Sequence, residues 1–597
     1  MGRIPKAAVV LAALATLLSV WTEKLSAETF EPHLVISVAS YDELKNDLRY
    51  IGSVFGNPQL ADALEGLILL NTRGQGLRFW DRTRRWGVAV QLDANAILQG
   101  AEPAEASVGV LVLPITNLKQ FLSSIEGLVG VAESIEAGVF RVSSPQGEPV
   151  YFKQQDRWVV ATNKQDLLAA LPANPATLLQ GVGENYDLAL QVNFGRFPAE
   201  LQDRLVNQAI DAMESGLVRE PEESEQDFAA RKEIAEWLSR QLSSYYADLD
   251  QLVWGISIDS TARKVAVDFA ITAIPGSVGA RLADRLAGAQ SRFLALSRAN
   301  PSIAFRVSAP IGDTLAWELE RGLEKARQQA LKGVAQETDQ EQAQLARTFF
   351  NKFTDVLIDI LAKANVDLAF AAWTTSGKGF AVIAAETTSA KKVNELLQVI
   401  EEALRNEPDL QAVIRPEIEE VNGVTIHQVL LKIPADVEDR EKVVEFFGQE
   451  EIELAAAVGE RAVFLAIGRE TTQRMKEWAR AAAVPQKVEG AILSLEMDLL
   501  SLATWAENFA PEADDREGAA RLAEALREAG GSGKVQISAA AIPRGLRFRG
   551  EMDGAALKAL AILLQMEVAP GLPTRPPFGP APPLPVPEIP APPAPRF

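Results

Sequence analysis

Only two histidines and no cysteine occur in the 597 residues, which limits the chemistry that the chain can perform. His33 precedes the first predicted strand, and His427 lies within an alternating strand. Zinc sites of the usual Cys and His types need more ligands than this. A Ser-His-Asp triad would have to use one of the two, and no G-x-S-x-G turn supports it. We therefore predict that both are satisfied structural histidines, with no metal and no cofactor.

Two short motifs are similar to catalytic signatures but lack the residues that complete them. Ser389-x-x-Lys392 matches the serine–lysine pair of penicillin-interacting enzymes, yet the accompanying S-D-N and K-T-G are absent. The run from Gly530 to Lys534 is similar to a phosphate-binding loop, but Glu528 occupies the position of the first required glycine. We interpret the serine–lysine pair as a chance match and the glycine run as a flexible turn.

One stretch concentrates arginine beside aromatic rings in an otherwise acidic chain. Guanidinium groups next to such rings can hold an anionic head group or a partner's carboxylates. The alternative is a surface connection whose arginines pair with nearby acids, and we favour this second interpretation. The candidate residues are Arg73, Arg78, Arg82, Arg84 and Arg85, with Trp80 and Trp86.

An internal repeat indicates how these residues are positioned. Pro32-x-Leu34-Val35-Ile36-x-Val38 returns as Pro301-x-Ile303-Ala304-Phe305-x-Val307. Five further matches follow in the same order. They include the run from Gly109 to Leu113 with the run from Gly379 to Ile383, and Leu188-x-Leu190-x-Val192 with Leu493-x-Leu495-x-Met497. The period has the size of a whole domain, which favours a tandem duplication over a solenoid. We predict one domain over residues 28–299 and a related domain over residues 300–569.

The elements of each half favour an α+β fold. Residues 264–274 alternate between Val265, Val267, Phe269 and Ile271 on one face and mostly small or polar residues on the other. Such alternation is typical of an antiparallel sheet with two unlike faces. Helical patterns are scattered between the strand pairs. We predict two mostly antiparallel sheets, each packed with helices.

The two ends of the chain predict an exported protein with an extended tail. Residues 1–27 combine Arg3 and Lys6 with an uncharged apolar run, which is typical of a signal peptide, although a retained anchor stays open. No later segment is apolar and long enough to span a bilayer. Residues 570–597 contain 13 of the 33 prolines. This composition predicts a disordered, extended spacer or, as the alternative, a ligand for an aromatic-lined groove.

Charge and cysteine content narrow the function classes. The formal net charge of −21 disfavours binding to nucleic acid and to anionic lipid surfaces. Without cysteine, an exported chain has no disulfides and depends on its cores for stability.

The order of these signals resembles a group of exported bacterial proteins known only as a domain of unknown function. The resemblance is carried by the strand from Trp86 to Val90, the strand and helix over 109–122, the strand from Gly138 to Val142, and the run from Asp156 to Thr162. It implies export and an α+β repeat, and it supplies no catalytic residues.

From these patterns we expect a non-enzymatic periplasmic or secreted protein with an interaction or scaffolding role, whose partner is an unknown envelope protein. A first alternative is a carrier of a hydrophobic, lipid-like ligand, because a sheet with one apolar face can enclose such a ligand. A second is a carboxylate-based hydrolase, since acids are plentiful and their spatial pairing is invisible in sequence.

Overall fold

The computed structural model describes residues 30–567 except for short internal segments. The predicted export signal and the Pro-rich tail lie outside the described residues. The internal residues that are not described are 104, 144–148, 183, 216, 218, 220–224, 226–227, 230, 233–247, 335–339, 362–364, 375–378, 407–410, 436–439, 489 and 511.

The first half contributes ten antiparallel strands. Along the sheet they run in the order β4, β5, β6, β7, β3, β2, β1, β8, β9, β10. Their bounds are β1 (Leu34–Val38), β2 (Trp86–Leu92), β3 (Ser107–Leu113), β4 (Ala132–Glu136), β5 (Val139–Ser143), β6 (Pro149–Gln155), β7 (Trp158–Thr162), β8 (Leu188–Asn193), β9 (Leu249–Asp259) and β10 (Lys264–Ala273).

The second half contributes ten more strands in the same relative order. From the outer edge of the sheet inward, the strand order is β15, β16, β17, β18, β14, β13, β12, β20, β21, β22. A separate two-stranded sheet pairs β11 (Gln290–Ser291) with β19 (Gln486–Lys487). The bounds are β12 (Ile303–Pro310), β13 (Asn365–Trp373), β14 (Phe380–Ala385), β15 (Val413–Val421), β16 (Val424–Lys432), β17 (Glu451–Gly459), β18 (Val463–Gly468), β20 (Ala491–Asp498), β21 (Lys534–Ile542) and β22 (Gly545–Asp553).

Helices connect the strands, and both classes of element confirm the α+β fold. In the first half they are α1 (Tyr41–Val54), α2 (Leu60–Asn71), α3 (Ala94–Leu98), α4 (Leu118–Val129), α5 (Leu167–Ala170), α6 (Ala199–Ser215), α7 (Val278–Leu286) and α8 (Leu294–Ser297). The second half has α9 (Gly312–Val334), α10 (Gln340–Leu361), α11 (Ala390–Asn406), α12 (Arg440–Phe447), α13 (Thr471–Ala481), α14 (Leu499–Phe509), α15 (Ala513–Ala529) and α16 (Gly554–Glu567). Among the described residues, no helix combines the length and apolar composition needed to cross a bilayer.

The two sets of strands form one sheet, because β10 pairs with β22. The ladder runs from Lys264 opposite Asp553 to Thr272 opposite Gly545, and it completes a continuous sheet of 20 strands among the described residues. Asp268 and Arg549 face each other in this ladder with an ion pair of 3.0 Å. Asp268 is only 1% exposed. The prediction of two separate sheets is therefore corrected, since sequence alone gives no sign of the pairing between the halves.

One face of the sheet carries a hydrophobic core in each half. In the first half, Val110 and Val160 pack with Leu167 of α5. In the second half, Val382 and Phe464 pack with Met475 of α13. Because side chains alternate along a strand, the residues between these positions face the opposite side of the sheet.

Both outer edges of the sheet are protected against pairing with another chain. The edge strands β4 and β15 each contain a register shift, and their solvent-facing residues include several glutamates. Pro416 removes a backbone donor from β15. Bulges, charges and proline are the devices that keep sheet edges from templating aggregation.

The ion pair at the junction gives the first prediction. Replacing Arg549 with Met leaves the buried Asp268 carboxylate uncompensated, so we expect Arg549→Met to lower the free energy of unfolding by about 3 kcal/mol. The control is Arg141→Met, which breaks an exposed pair with Glu133 at the outer edge and should cost at most about 0.5 kcal/mol. Urea denaturation measures both, and equal effects would contradict the importance assigned to the junction.

Candidate functional site

A row of large apolar side chains crosses the sheet on the face opposite the two cores. Strand pairing places its members side by side, each on the next strand or the next but one. Val267 and Ile537 both face Gly550, which lies between them. We call this row the apolar track; its residues are Val267, Ile537, Leu495, Phe305, Phe370, Ile383 and Leu465.

Helices leave the apolar track open to solvent. Val267 is 42% exposed, Ile537 46%, and Ile383 and Leu465 are each 43% exposed. The track spans eight strands, from β10 to β18, and is therefore about 34 Å long at the usual strand spacing. It contains no charged residue. The three track residues that lie between Ile537 and Ile383 are partly exposed: Leu495, Phe305 and Phe370. An apolar row that reaches solvent in this way marks a binding surface more often than an accident of packing.

One side of the track is bounded by three helices. Leu286 of α7 belongs to a cluster with Ala539 of β21, and Leu493 and Leu546 pack against that cluster. Farther along, Val356 of α10 and Val393 of α11 pack with Ala385 and Val463. Four of these strand residues lie two positions from track residues: Ala539, Leu493, Ala385 and Val463. The helices therefore cover the neighbouring row and stop short of the track itself.

The other side is bounded by aromatic residues of α12 and α14. A Cβ added at Gly379 would lie 2.3 Å from the ring of Phe446, so glycine at this position lets α12 approach the start of β14. Phe446 contacts Phe509 of α14 with ring centroids 5.1 Å apart. Trp505 stacks on Phe509 and is 38% exposed. The track is thus the floor of a groove between two helical walls.

The corresponding face of the first half is closed. Leu111 of β3 and Ala161 of β7 occupy the strand positions that Ile383 and Leu465 occupy in β14 and β18. They are 6% and 0% exposed. Helix α4 covers them, because its Leu118 and Leu122 belong to the same buried cluster. The open groove therefore lies on the second half and on β10, the last strand of the first half.

The structure separates the arginines of the candidate cluster. Arg82 pairs with Asp42 at 2.7 Å, Arg84 with Asp81 at 2.9 Å, and Arg73 with Glu126 at 3.2 Å. Arg85 donates to the backbone carbonyl of Tyr186 at 2.6 Å. Each of these four arginines thus has its own protein partner, which is a carboxylate for three of them and a backbone carbonyl for Arg85.

The remaining cluster members also have separate environments. Arg78 is exposed. Trp80 and Trp86 pack edge to face with ring centroids 5.9 Å apart, and both lie against the core that α4 covers. The cluster residues therefore do not converge on one point.

The two motif-like segments have structural roles. The Ser389 hydroxyl accepts a hydrogen bond from the Lys392 backbone N–H at the start of α11. The Lys392 side chain lies 3.5 Å from the carboxylate of Asp359. Gly530 ends α15 in the left-handed conformation, which favours glycine. In the described part of the chain, no group of three or more acidic or histidine side chains is arranged to hold a metal.

The two histidines differ. His33 accepts a hydrogen bond from the Leu92 backbone N–H at 3.1 Å and stacks on Phe197, and burial lowers its pKa. It is the satisfied structural histidine that the sequence predicts. His427 contradicts that prediction, because within the described residues its two ring nitrogens are buried without a hydrogen-bond partner.

One pair of acids is brought together, at the base of α1. The Asp47 carboxyl is 5% exposed and faces the carboxyl of Asp187 closely enough to share a proton. Burial, followed by the neighbouring Asp187, raises the pKa of Asp47 to about 7. Burial also raises the pKa of Asp187, whose carboxylate accepts a hydrogen bond from the Ile258 N–H at 2.6 Å. Direct contact leaves no room for a substrate between these two acids.

This pair gives a pH-dependent prediction. The folded protein holds the Asp47 proton up to a pH of about 7, above the ordinary aspartate value, so this contribution to stability is lost as the pH rises through 7. Asp47→Asn removes the titration. We expect the free energy of unfolding of the variant, relative to that of the parent, to rise by about 2 kcal/mol between pH 5 and pH 8, as measured by urea denaturation at each pH. A difference that does not change with pH would contradict the proton-sharing pair.

Comparisons with models of protein families, with curated proteins and with solved structures find no match for this chain. The resemblance to exported bacterial proteins therefore stays a prediction. Sequence alone did not identify the residues of the track as a candidate site. Its signal is the apolar alternation of β10, β12 and β14, but that signal is the same for a covered and an uncovered face.

Proposed function

We propose that this protein is a non-catalytic, exported binding protein that holds an elongated apolar molecule, such as the acyl chain of a lipid, along the apolar track. The observation that carries the proposal is the groove itself: a floor of uncharged side chains up to 46% exposed, between two helical walls. Burial of apolar surface contributes about 25 cal/mol for each Å² removed from water. A bound chain supplies that burial without introducing charge.

The shape of the groove favours a thin chain over a second protein sheet. Sheets pack face to face at about 10 Å, and a helix is about 10 Å in diameter. Helices α7, α10 and α14 stand beside the track and would keep a second sheet from reaching its floor. The net charge of −21 also makes two copies repel each other. A flexible hydrocarbon chain meets neither obstacle.

The proposal includes a duplicated architecture. The strand order of the first half and that of the second half are the same when each is counted from its outer edge. The repeat seen in the sequence falls in the corresponding strands, with Leu34–Val38 in β1 and Ile303–Val307 in β12. We infer that residues 28–299 and 300–569 derive from one ancestral unit. The leading apolar segment supports export, and the proline-rich segment after residue 569 supports a role as a spacer.

A substitution on the groove floor tests the function. We expect Ile383→Glu to weaken the binding of diphenylhexatriene, an uncharged rod-shaped fluorescent probe, by at least about tenfold, because a carboxylate in the groove must lose its hydration when the probe binds. The measurement is a titration of fluorescence enhancement on the full chain. Since Ile383 is 43% exposed, the variant should keep its fold.

The matched control for this test is Leu69→Glu. Leu69 is an aliphatic residue of the same size as Ile383, is also 43% exposed, and lies on helix α2 of the first half, away from the track and from its end. We expect its binding to equal that of the parent. Failure of the parent to bind the probe would overturn the proposed function and leave the scaffolding role as the better account. Equal weakening by both variants would place binding somewhere other than the track.

A further inference from the structure

The row that forms the track does not end at Leu465. Leu465 faces Ala456 of β17, and Ala456 faces His427 of β16. His427 therefore lies two strand spacings beyond Leu465, about 10 Å away. Ala456 is small and 7% exposed, so the row passes from an open floor to a covered end where the histidine stands.

The fold does not require a histidine at this position. In the first half the matching row runs from Leu111 to Ala161, Phe152 and Phe140. Phe140 thus occupies the place that His427 occupies in the second half. An aromatic hydrocarbon ring satisfies the packing there, whereas the imidazole brings two polar atoms that have no hydrogen-bond partner among the described residues. A buried polar group without a hydrogen-bond partner lowers the stability of the fold, unless a bound ligand supplies the hydrogen bond.

The ladder of the neighbouring strand is interrupted beside His427. Strand β15 pairs with β16 up to Arg415 and resumes at Glu419, so residues 416–418 form an irregularity opposite the histidine. The residue is partly exposed although its ring nitrogens are not. A half-turn of the ring about the Cβ–Cγ bond exchanges the positions of nitrogen and carbon. The imidazole can therefore present a nitrogen toward the groove without a change in the backbone.

The charges around this end disfavour an anionic group. Three exposed glutamates, Glu417, Glu419 and Glu420, lie on β15 against one arginine, Arg415, and Glu419 is paired with Lys476. The balance is negative, and the chain as a whole is strongly acidic. A carboxylate or phosphate placed at His427 would meet this negative potential. An uncharged hydroxyl would not, and it can both donate a hydrogen bond and accept one.

We propose that His427 anchors the head group of the bound molecule, and that the ligand is a long-chain amphiphile with an uncharged hydroxyl at one end. The inference rests on the proposed function, since it assigns the end of the same groove. The hydrocarbon lies along the track from Leu465 toward Val267, and the hydroxyl lies beside Ala456 within reach of the imidazole.

The test compares three ligands that share one hydrocarbon chain. Each ligand is titrated as a competitor of bound diphenylhexatriene: hexadecane, hexadecan-1-ol and hexadecanoate. The titrations use the full-length parent and two variants, His427→Phe and His427→Gln. We expect the alcohol to bind the parent about five- to tenfold more tightly than the alkane, the effect of one additional hydrogen bond. In His427→Phe, which copies the first half, this preference should disappear while alkane binding is kept. His427→Gln retains a donor and an acceptor and should restore part of the preference.

Each result has one meaning. A preference for the alcohol that is unchanged in His427→Phe would overturn the anchor while leaving the track in place. Tightest binding of hexadecanoate by the parent would overturn the assignment of an uncharged head group. Failure of the parent to bind any of the three ligands or the probe would overturn the proposed function itself. Hexadecane separates the two proposals, because it has no head group and its binding depends on the track without His427.

Discussion

The pairing of β10 with β22 is the constraint on which the rest of the structure depends. It joins strands whose facing residues Asp268 and Arg549 are 281 positions apart, and it converts two ten-stranded sheets into one. When strands are counted inward from each outer edge, these two residues occupy equivalent places. If the halves arose by duplication, as proposed, two identical ancestral units would have carried the same residue at both of these facing positions. In the present chain the two positions can differ, so an acid lies opposite a base.

The continuous sheet also explains why an uninterrupted apolar row can exist. A row of side chains stays in line across strands only while the ladder continues, and the track crosses the junction between Val267 and Ile537. The two halves then differ in what covers the row. Helix α4 buries Leu111 and Ala161, whereas α10 and α11 leave Ile383 and Leu465 exposed. The same strand framework thus supports a closed core in one half and a groove in the other.

Much of the fold could be predicted from the sequence, because strands and helices follow local periodicity. The strand Leu34–Val38, the strand that begins at Trp86, and the strand and helix over residues 109–122 lie where the pattern placed them. Residue-level matches between the halves were less secure. The sequence matched Gly109 with Gly379, but strand pairing sets Leu111 against Ile383, a shift of two residues. A shift of two keeps every side chain on its face, so alternation cannot detect it.

The candidate site could not be predicted in the same way, because it depends on which helices cover which row. The arginine cluster attracted attention by composition, yet its members have separate partners. Ile383 and Leu465 carried no such signal. His427 was interpreted as an ordinary structural residue, and only the pairing of β16 with β17 places it at the end of the track.

The measurement that tests the account most directly is native mass spectrometry of the full chain purified without detergent from its own cells. The account predicts a discrete additional mass, removed by organic extraction, that corresponds to a long-chain hydroxyl-bearing lipid. A protein that carries no additional mass under conditions that preserve other lipid complexes would contradict the claim that the groove holds an apolar chain.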